Sequence, residues 1–390
     1  MTIKYPLATF TWDEAEYAAL QRVIASNHFT MGEEVKAFEA QFAAYVGARH
    51  AVMVNSGSSA NLLMIAALFY SQDSARRLER GDEVIVPAVS WSTTYFPLQQ
   101  YGLKIKFVDI DRDTLNIDVD ALKSAISEKT KAILAVNLLG NPCDYNAIEE
   151  AIKGRDILLL EDNCESMGAT LGGRQCGTFG LMGTYSTFFS HHISTMEGGV
   201  ICTDDDELHH ILLCLRAHGW TRNLPDENRV TGTKSADPFE ESFRFVLPGY
   251  NVRPLEMEGA LGIEQVKKLP LLIEERQANG RRWTEAMRNH PQFLIQQETG
   301  SSSWFGFSLV IRPGLGIERR TVVQHLRDLG FECRPIVAGN FAKNPVLRYF
   351  DSEIAGSLDN AEYIDRNGLF IGNQHFPIPE AIDCIAALRV

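Results

Sequence analysis

Short apolar runs alternate with amphipathic stretches along the first half of the chain. Residues 12–20 and 33–45 carry apolar positions at helical spacing and predict two helices. Continuous apolar runs at 51–54, 83–86, 105–108, 132–136 and 157–160 predict short strands buried on both faces, and 186–189 and 199–203 complete the series. A turn after the first run leads into a helix from about Ser59. Strands of this kind separated by helical segments predict an α/β fold, a mostly parallel central sheet covered on both faces. Near Leu247-Pro248-Gly249-Tyr250 the alternation stops. Helical stretches at 256–267 and 271–289 follow, then a strand at 305–311 and a helix at 319–329. The expected division is a large domain over 1–265 and a smaller C-terminal α+β domain over 266–390. No internal repeat or low-complexity tract interrupts the chain.

Composition narrows the partners. The formal net charge is −13, which argues against nucleic acid and anionic membranes, because both need a basic surface. A small anionic substrate held by local arginines stays open. The seven cysteines are scattered and form no C-x-x-C pair, so a disulfide framework and a zinc site are not expected and a reducing cytoplasm fits. Residues 1–10 lack a basic segment followed by an apolar core, so no signal peptide is expected. No apolar run reaches the length of a membrane span.

Three segments carry candidate chemistry. Ser56-Gly57-Ser58-Ser59 joins a strand to a helix, where free amides and hydroxyls can hold a phosphate; Ser-Gly-Ser turns are also common without any ligand. Trp91 follows the second strand, and an aromatic there either stacks on a flat ring or fills the core. Asp162, in Glu161-Asp162-Asn163-Cys164-Glu165, ends a fully apolar strand. A carboxylate so placed is costly unless partnered, by a protonated pyridine nitrogen for instance, or it belongs to a helix cap or a surface loop.

In order and number these segments resemble the pyridoxal-phosphate-dependent sugar aminotransferases of fold type I. The likeness extends to Phe29-Thr30-Met31-Gly32, to Gly81-Asp82-Glu83-Val84-Ile85-Val86-Pro87, to Leu215-Arg216-Ala217-His218-Gly219 and to Gly249-Tyr250-Asn251-Val252-Arg253. The resemblance implies that Gly57, Ser58 and Ser186 hold the cofactor phosphate, that Trp91 covers the ring and that Asp162 pairs with its nitrogen. It also implies a homodimer in which Asn251 reaches the neighbouring subunit's phosphate.

One residue departs from the family. A lysine is expected six positions before the Glu-Gly-Gly run that starts at Glu197, and His191 stands there; no lysine occurs between Lys153 and Lys234. In the family that lysine tethers the cofactor aldehyde and carries protons. Histidine can only carry the proton. Glu165 likewise replaces the usual Gln or His beside the cofactor. The pattern resembles a narrow subgroup, the sugar 3-dehydratases, which implies removal of the C3 hydroxyl from a nucleotide-linked 4-keto-6-deoxyhexose, with GDP as the carrier. On this reading pyridoxal phosphate and pyridoxamine phosphate alternate, L-glutamate is the amino donor, ammonia is released and His191 is the acid/base. His218 and Arg222 are candidates for the sugar or the donor, and Arg253 or Arg334 for a bidentate grip on the donor carboxylate. A related subgroup carries an iron–sulfur cluster on closely spaced cysteines near the Gly-Tyr-Asn run. No cysteine lies between Cys214 and Cys333, so no cluster is expected. The alternatives are a nucleotide-sugar aminotransferase with an unusual base, and a binding protein that has lost catalysis. His192 is expected to be structural.

Overall fold

The computed structural model describes residues 3–390. Its centre is an eight-stranded sheet in the order His50–Val54, Gly199–Thr203, Met182–Ser186, Leu158–Asp162, Thr130–Val136, Glu83–Pro87, Lys104–Val108 and Ser352–Ile354. The strand Gly199–Thr203 runs antiparallel to both its neighbours, and every other pairing in the sheet is parallel. Burial on both faces explains the uninterrupted apolar runs: Val52, Val84, Ile85, Ile105, Leu134 and Leu160 are all fully buried. One face packs against the helices Gly57–Phe69, Ser92–Gln100 and Asp206–Arg216. The helix Glu33–Val46 and the long helix Glu256–Met287 close another part of the core around Phe38, Phe42 and Tyr185.

A four-stranded sheet, in the order Phe293–Leu294, Gly306–Ile311, Gly368–Gly372 and Cys333–Arg334, is antiparallel throughout and has its own core around Trp283, Trp304 and Phe307.

Two local expectations change, and one edge strand was not expected. The strand expected at 186–189 lies at Met182–Ser186, because its N-terminal half carries Gly183 and Thr184 and shows no apolar run. The two helices expected at 256–267 and 271–289 are one helix, Glu256–Met287, with Pro270 inside it. Proline removes one backbone donor, but packing against Glu33–Val46 and Glu14–Ser26 outweighs that loss. This helix runs through position 265, where a domain boundary was expected. The strand Ser352–Ile354 joins the edge of the large sheet, far along the chain from its partner Lys104–Val108; three residues, two half-buried and one exposed, carry no periodic signal.

Candidate functional site

The parallel strands end together, and the candidate residues gather there, as expected for an open α/β sheet. Asp162 closes the strand Leu158–Asp162 and is 5% exposed. One carboxylate oxygen accepts from Asn61 Nδ2 at 2.8 Å and Thr94 Oγ1 at 2.7 Å, and the other from the backbone amide of Cys164 at 3.2 Å. Asn61 is oriented by Thr184, whose hydroxyl donates to Asn61 Oδ1 at 2.6 Å. Among the described residues no cationic side chain pairs with Asp162. A buried, hydrogen-bonded carboxylate without a cation suits a protonated ring nitrogen. Its neighbour Glu161 points to the other face, where its oxygens accept the amides of Gly177 and Gly180, both at 2.6 Å. Strand alternation assigns the two acids to opposite jobs.

The helix Gly57–Phe69 starts beside this strand. Ser56 caps it, its Oγ accepting the amide of Ser59 at 3.1 Å. Gly57 is buried where a Cβ would lie 2.8 Å from Ser186 Cβ and 3.1 Å from Cys164 Sγ. Only glycine fits, and the close approach sets the amides at the helix N-terminus beside the Ser186 hydroxyl. Ser58 is exposed and donates to Thr93 Oγ1 at 3.0 Å. Amides, hydroxyls and a helix dipole converge here, a donor set that fits a phosphate. Trp91, at the start of the helix Ser92–Gln100, is 58% exposed. That exposure decides between the core and stacking alternatives: its ring is free to cover a ligand.

His191 follows Phe188 in a tight turn, its amide donating to the Phe188 carbonyl at 2.9 Å. Its ring is half-buried and rests on Phe305, with ring centres 5.1 Å apart. Nδ1 is buried without a hydrogen-bond partner, leaving Nε2 as the nitrogen that meets a ligand. Burial, and second the nearby Arg276 charge, push its pKa down to about 4, so the ring is neutral at pH 7. His192 is buried, with Nε2 3.2 Å from the Ser303 carbonyl, the structural placement expected of it. Glu165 accepts the amide of Leu139 at 3.1 Å. Burial pushes its pKa up to about 7, so it can hold a proton at neutral pH.

His218, Arg222 and Arg253 gather around one indole. The His218 ring lies 4.9 Å from Trp220, and the guanidinium carbons of Arg222 and Arg253 stand 4.2 and 5.7 Å from the Trp220 ring centre. Arg253 Nε also donates to Asn251 Oδ1 at 3.0 Å. Asn251 itself is exposed, and the next carbonyl, of Val252, accepts from the amide of Asn55 at 3.0 Å, one residue before the Ser56 cap. The Gly-Tyr-Asn segment thus lies against the phosphate-type turn. Arg334 stands apart on the smaller sheet, exposed and paired with Glu332 at 3.0 Å.

Asn61, Thr94, Phe305 and Arg276 belong to this site and were not singled out in the sequence. Asn61 had one signal: it lies one helical turn after Gly57. The others come from segments whose relation to the site is purely tertiary. Among the described residues no group of three or more His, Cys, Asp or Glu is placed to hold a metal.

A donor set for a phosphate, a buried acid for a ring nitrogen and an exposed indole above them, at the strand ends of this sheet, define the pyridoxal-phosphate enzymes of fold type I. A family model for the DegT/DnrJ/EryC1/StrS aminotransferase family matches residues 11–386, and the chain belongs to that family. It is 65% identical over 381 residues to GDP-4-keto-6-deoxy-D-mannose 3-dehydratase of Yersinia pseudotuberculosis, covering 97% of this chain and 96% of the relative. A solved structure of E. coli GDP-4-keto-6-deoxy-D-mannose-3-dehydratase with bound hydrated PLP superimposes with a TM-score of 0.97 at 61% identity, covering 99% of each chain. A structure of GDP-4-keto-6-deoxymannose-3-dehydratase with a trapped PLP-glutamate geminal diamine also gives 0.97 at 61% identity, covering 98% of this chain and 99% of that one.

Proposed function

We propose that this chain is a pyridoxal-phosphate-dependent 3-dehydratase of GDP-4-keto-6-deoxy-D-mannose, with L-glutamate as amino donor, working in the cytoplasm in deoxysugar (colitose) biosynthesis. The observation that carries the reading is His191: a neutral imidazole at the lysine position of a site whose cofactor-type donors are otherwise complete. The relatives' substrate and their captured glutamate support the same assignment.

When bound, the cofactor supplies an amine and a ring that accepts electrons from the adjoining carbon. Gly57, Ser58 and Ser186 hold its phosphate, Asp162 keeps its ring nitrogen protonated, Trp91 covers its face, and Glu165 holds a proton beside it. His191 accepts a proton at Nε2 and releases it to the departing C3 oxygen, which leaves as water. A lysine at this place could also return a proton to the sugar's C4 and retain the nitrogen there; a histidine cannot form the tether, so the C–N bond is hydrolysed. In net terms the C3 hydroxyl is replaced by hydrogen, glutamate becomes 2-oxoglutarate and ammonia is released. His218, Arg222 and Arg253 around Trp220, with Arg334, are assigned to the sugar nucleotide and the donor carboxylate.

A homodimer completes the site, with Asn251 of each subunit serving its neighbour. The exposure of Phe239, Phe243 and Phe245, at 87%, 70% and 57%, supports a covered surface near the Arg222 segment.

The test is an ammonia assay with pyridoxal phosphate, glutamate and a 4-keto-6-deoxy sugar carried on GDP, CDP or UDP. Ammonia and a 3-deoxy sugar, greatest with GDP, are expected. A stable amino sugar would make the protein an aminotransferase, and no product with any carrier would make it a binding protein.

A further inference from the structure

Arg276 lies on the long helix Glu256–Met287 and is 2% exposed. Buried arginines ordinarily face a carboxylate, yet among the described residues none lies within ion-pair distance of this one. Its Nη1 instead donates to three backbone carbonyls, of Trp304 at 3.4 Å, Phe305 at 3.3 Å and Asn373 at 3.1 Å, and its Nε is buried without a partner. Asn373 reinforces the grip, its Nδ2 donating to the Trp304 carbonyl at 2.9 Å and to the Arg276 carbonyl at 3.1 Å.

The loop held in this way is the wall of the His191 pocket. Trp304 sits in the left-handed region at φ 47°, a conformation that persists only when its surroundings enforce it. Phe305 follows, with its ring against His191 and, at 5.7 Å, against His192. From the opposite side the Phe305 amide donates to the Leu139 carbonyl at 3.1 Å, while the Leu139 amide reaches Glu165. Among the described residues the His191 side chain has no hydrogen-bond partner. Most histidine bases are oriented by a third group that bonds the second ring nitrogen; here no such group exists among the described residues. Orientation therefore comes from the aromatic wall, and the wall is held by Arg276.

We propose that Arg276 is a positioning residue for His191: it fixes the 303–305 loop so that Phe305 orients the imidazole. Its charge adds to burial, the larger effect, in holding the imidazole unprotonated. The proposal rests on His191 as the proton carrier. The titratable groups facing His191 are Arg276 from the helix, His192 from its own loop and Glu165 across the Leu139 turn; His375, past the strand Gly368–Gly372, faces Arg276 as well. His191, His192 and His375 are each pushed down first by burial and next by Arg276. Glu165, itself held up first by burial, is bonded to the Leu139 amide and does not counter the arginine at His191. The chemical consequence is directional. A cation beside an imidazole weakens it as a base and strengthens its conjugate acid, so an accepted proton is passed on to the departing oxygen rather than kept.

The test is an NMR titration of the full-length protein labelled with carbon-13 histidine, without substrate, with the His191 signal assigned by its loss in His191→Asn. The wild-type signal should titrate well below the ordinary histidine value of about 6.5. In Arg276→Met it should move up by about one pH unit or more, and the acid limb of kcat should move with it. Arg276→Lys keeps the charge but loses the planar fork: its titration should stay low while kcat falls about tenfold with KM nearly unchanged. Wild-type titration at or above the ordinary value overturns the charge assignment even if Arg276→Met does not fold, and an unmoved signal in Arg276→Met does the same. A wild-type kcat in Arg276→Lys overturns the positioning role. Ammonia absent from a wild type whose His191 titrates low would overturn the functional reading and leave the electrostatic one standing.

Discussion

The chemistry of this protein turns on one side chain. His191 can move a proton but cannot make a covalent tether. His191→Asn should keep the fold and noncovalent cofactor binding, since an amide of similar reach replaces a half-buried ring. It should lose dehydration by about 10²–10⁴-fold, the usual cost of removing a general base; dehydration at the wild-type rate would move the role to another residue, His218 first. Borohydride treatment of the wild-type holoenzyme should leave no pyridoxyl group on the polypeptide, whereas His191→Lys should be labelled at position 191. Mass spectrometry of tryptic peptides decides both, and a labelled lysine in the wild type would contradict the assignment. Much of this was legible in the chain, because a missing lysine is a fact of sequence. The protonation state was not. It depends on burial and on Arg276, which lies 85 residues further along.

Between elements, two tight turns interlock behind the site. Leu139 and Gly140 adopt φ 53° and 97°, and Trp304 sits against them at φ 47°. A Cβ at Gly140 would stand 2.4 Å from the Trp304 amide nitrogen. Gly140→Ala should therefore cost about 1–3 kcal/mol in strain alone, plus a backbone clash, and should lower the urea midpoint; a midpoint equal to wild type would show that the turns yield freely. A second junction sits at the other end of the sheet. The rings of His50 and His209 stack at 4.1 Å, and His50 Nε2 lies 2.7 Å from Asp206 Oδ1. Burial, then His50, His210 and Arg216, push His209 down to about 3, with Asp206 opposing. The folded protein thus binds this proton more weakly than the unfolded chain. The contribution is complete above about 6.5 and is lost progressively as pH falls towards 3. Thermal melts between pH 7 and 5, read against His209→Gln, should show a smaller acid-induced drop in the variant; equal drops would exclude His209 as a source of acid sensitivity.

For the whole molecule, the expected assembly follows from Asn251 and the exposed phenylalanines. Sedimentation should give a dimer at working concentration, and Phe243→Glu should weaken it together with cofactor retention. A fully active monomer would contradict shared sites. Net charge bears on this scale too: at −13 the chain is poorly suited to polyanions, and two of the candidate arginines, Arg222 and Arg253, are concentrated around Trp220.

Apolar runs were enough to place the class of fold, while the Ser-Gly-Ser turn and the acid at the end of an apolar strand became cofactor candidates only through the family resemblance. Each is local, and local periodicity reports burial directly. Residue type and strand position do not distinguish Glu161 from Asp162; the family resemblance pointed to Asp162, and the tertiary structure gives the two acids separate partners because adjacent strand residues point to opposite faces. Tertiary structure alone turned two helices into one across Pro270, since long-range packing outweighs a single lost backbone bond. It alone brought Phe305 and Arg276 to His191, because the contact is made by loop closure between distant segments, and neither residue type nor spacing marks where a chain will return to touch itself.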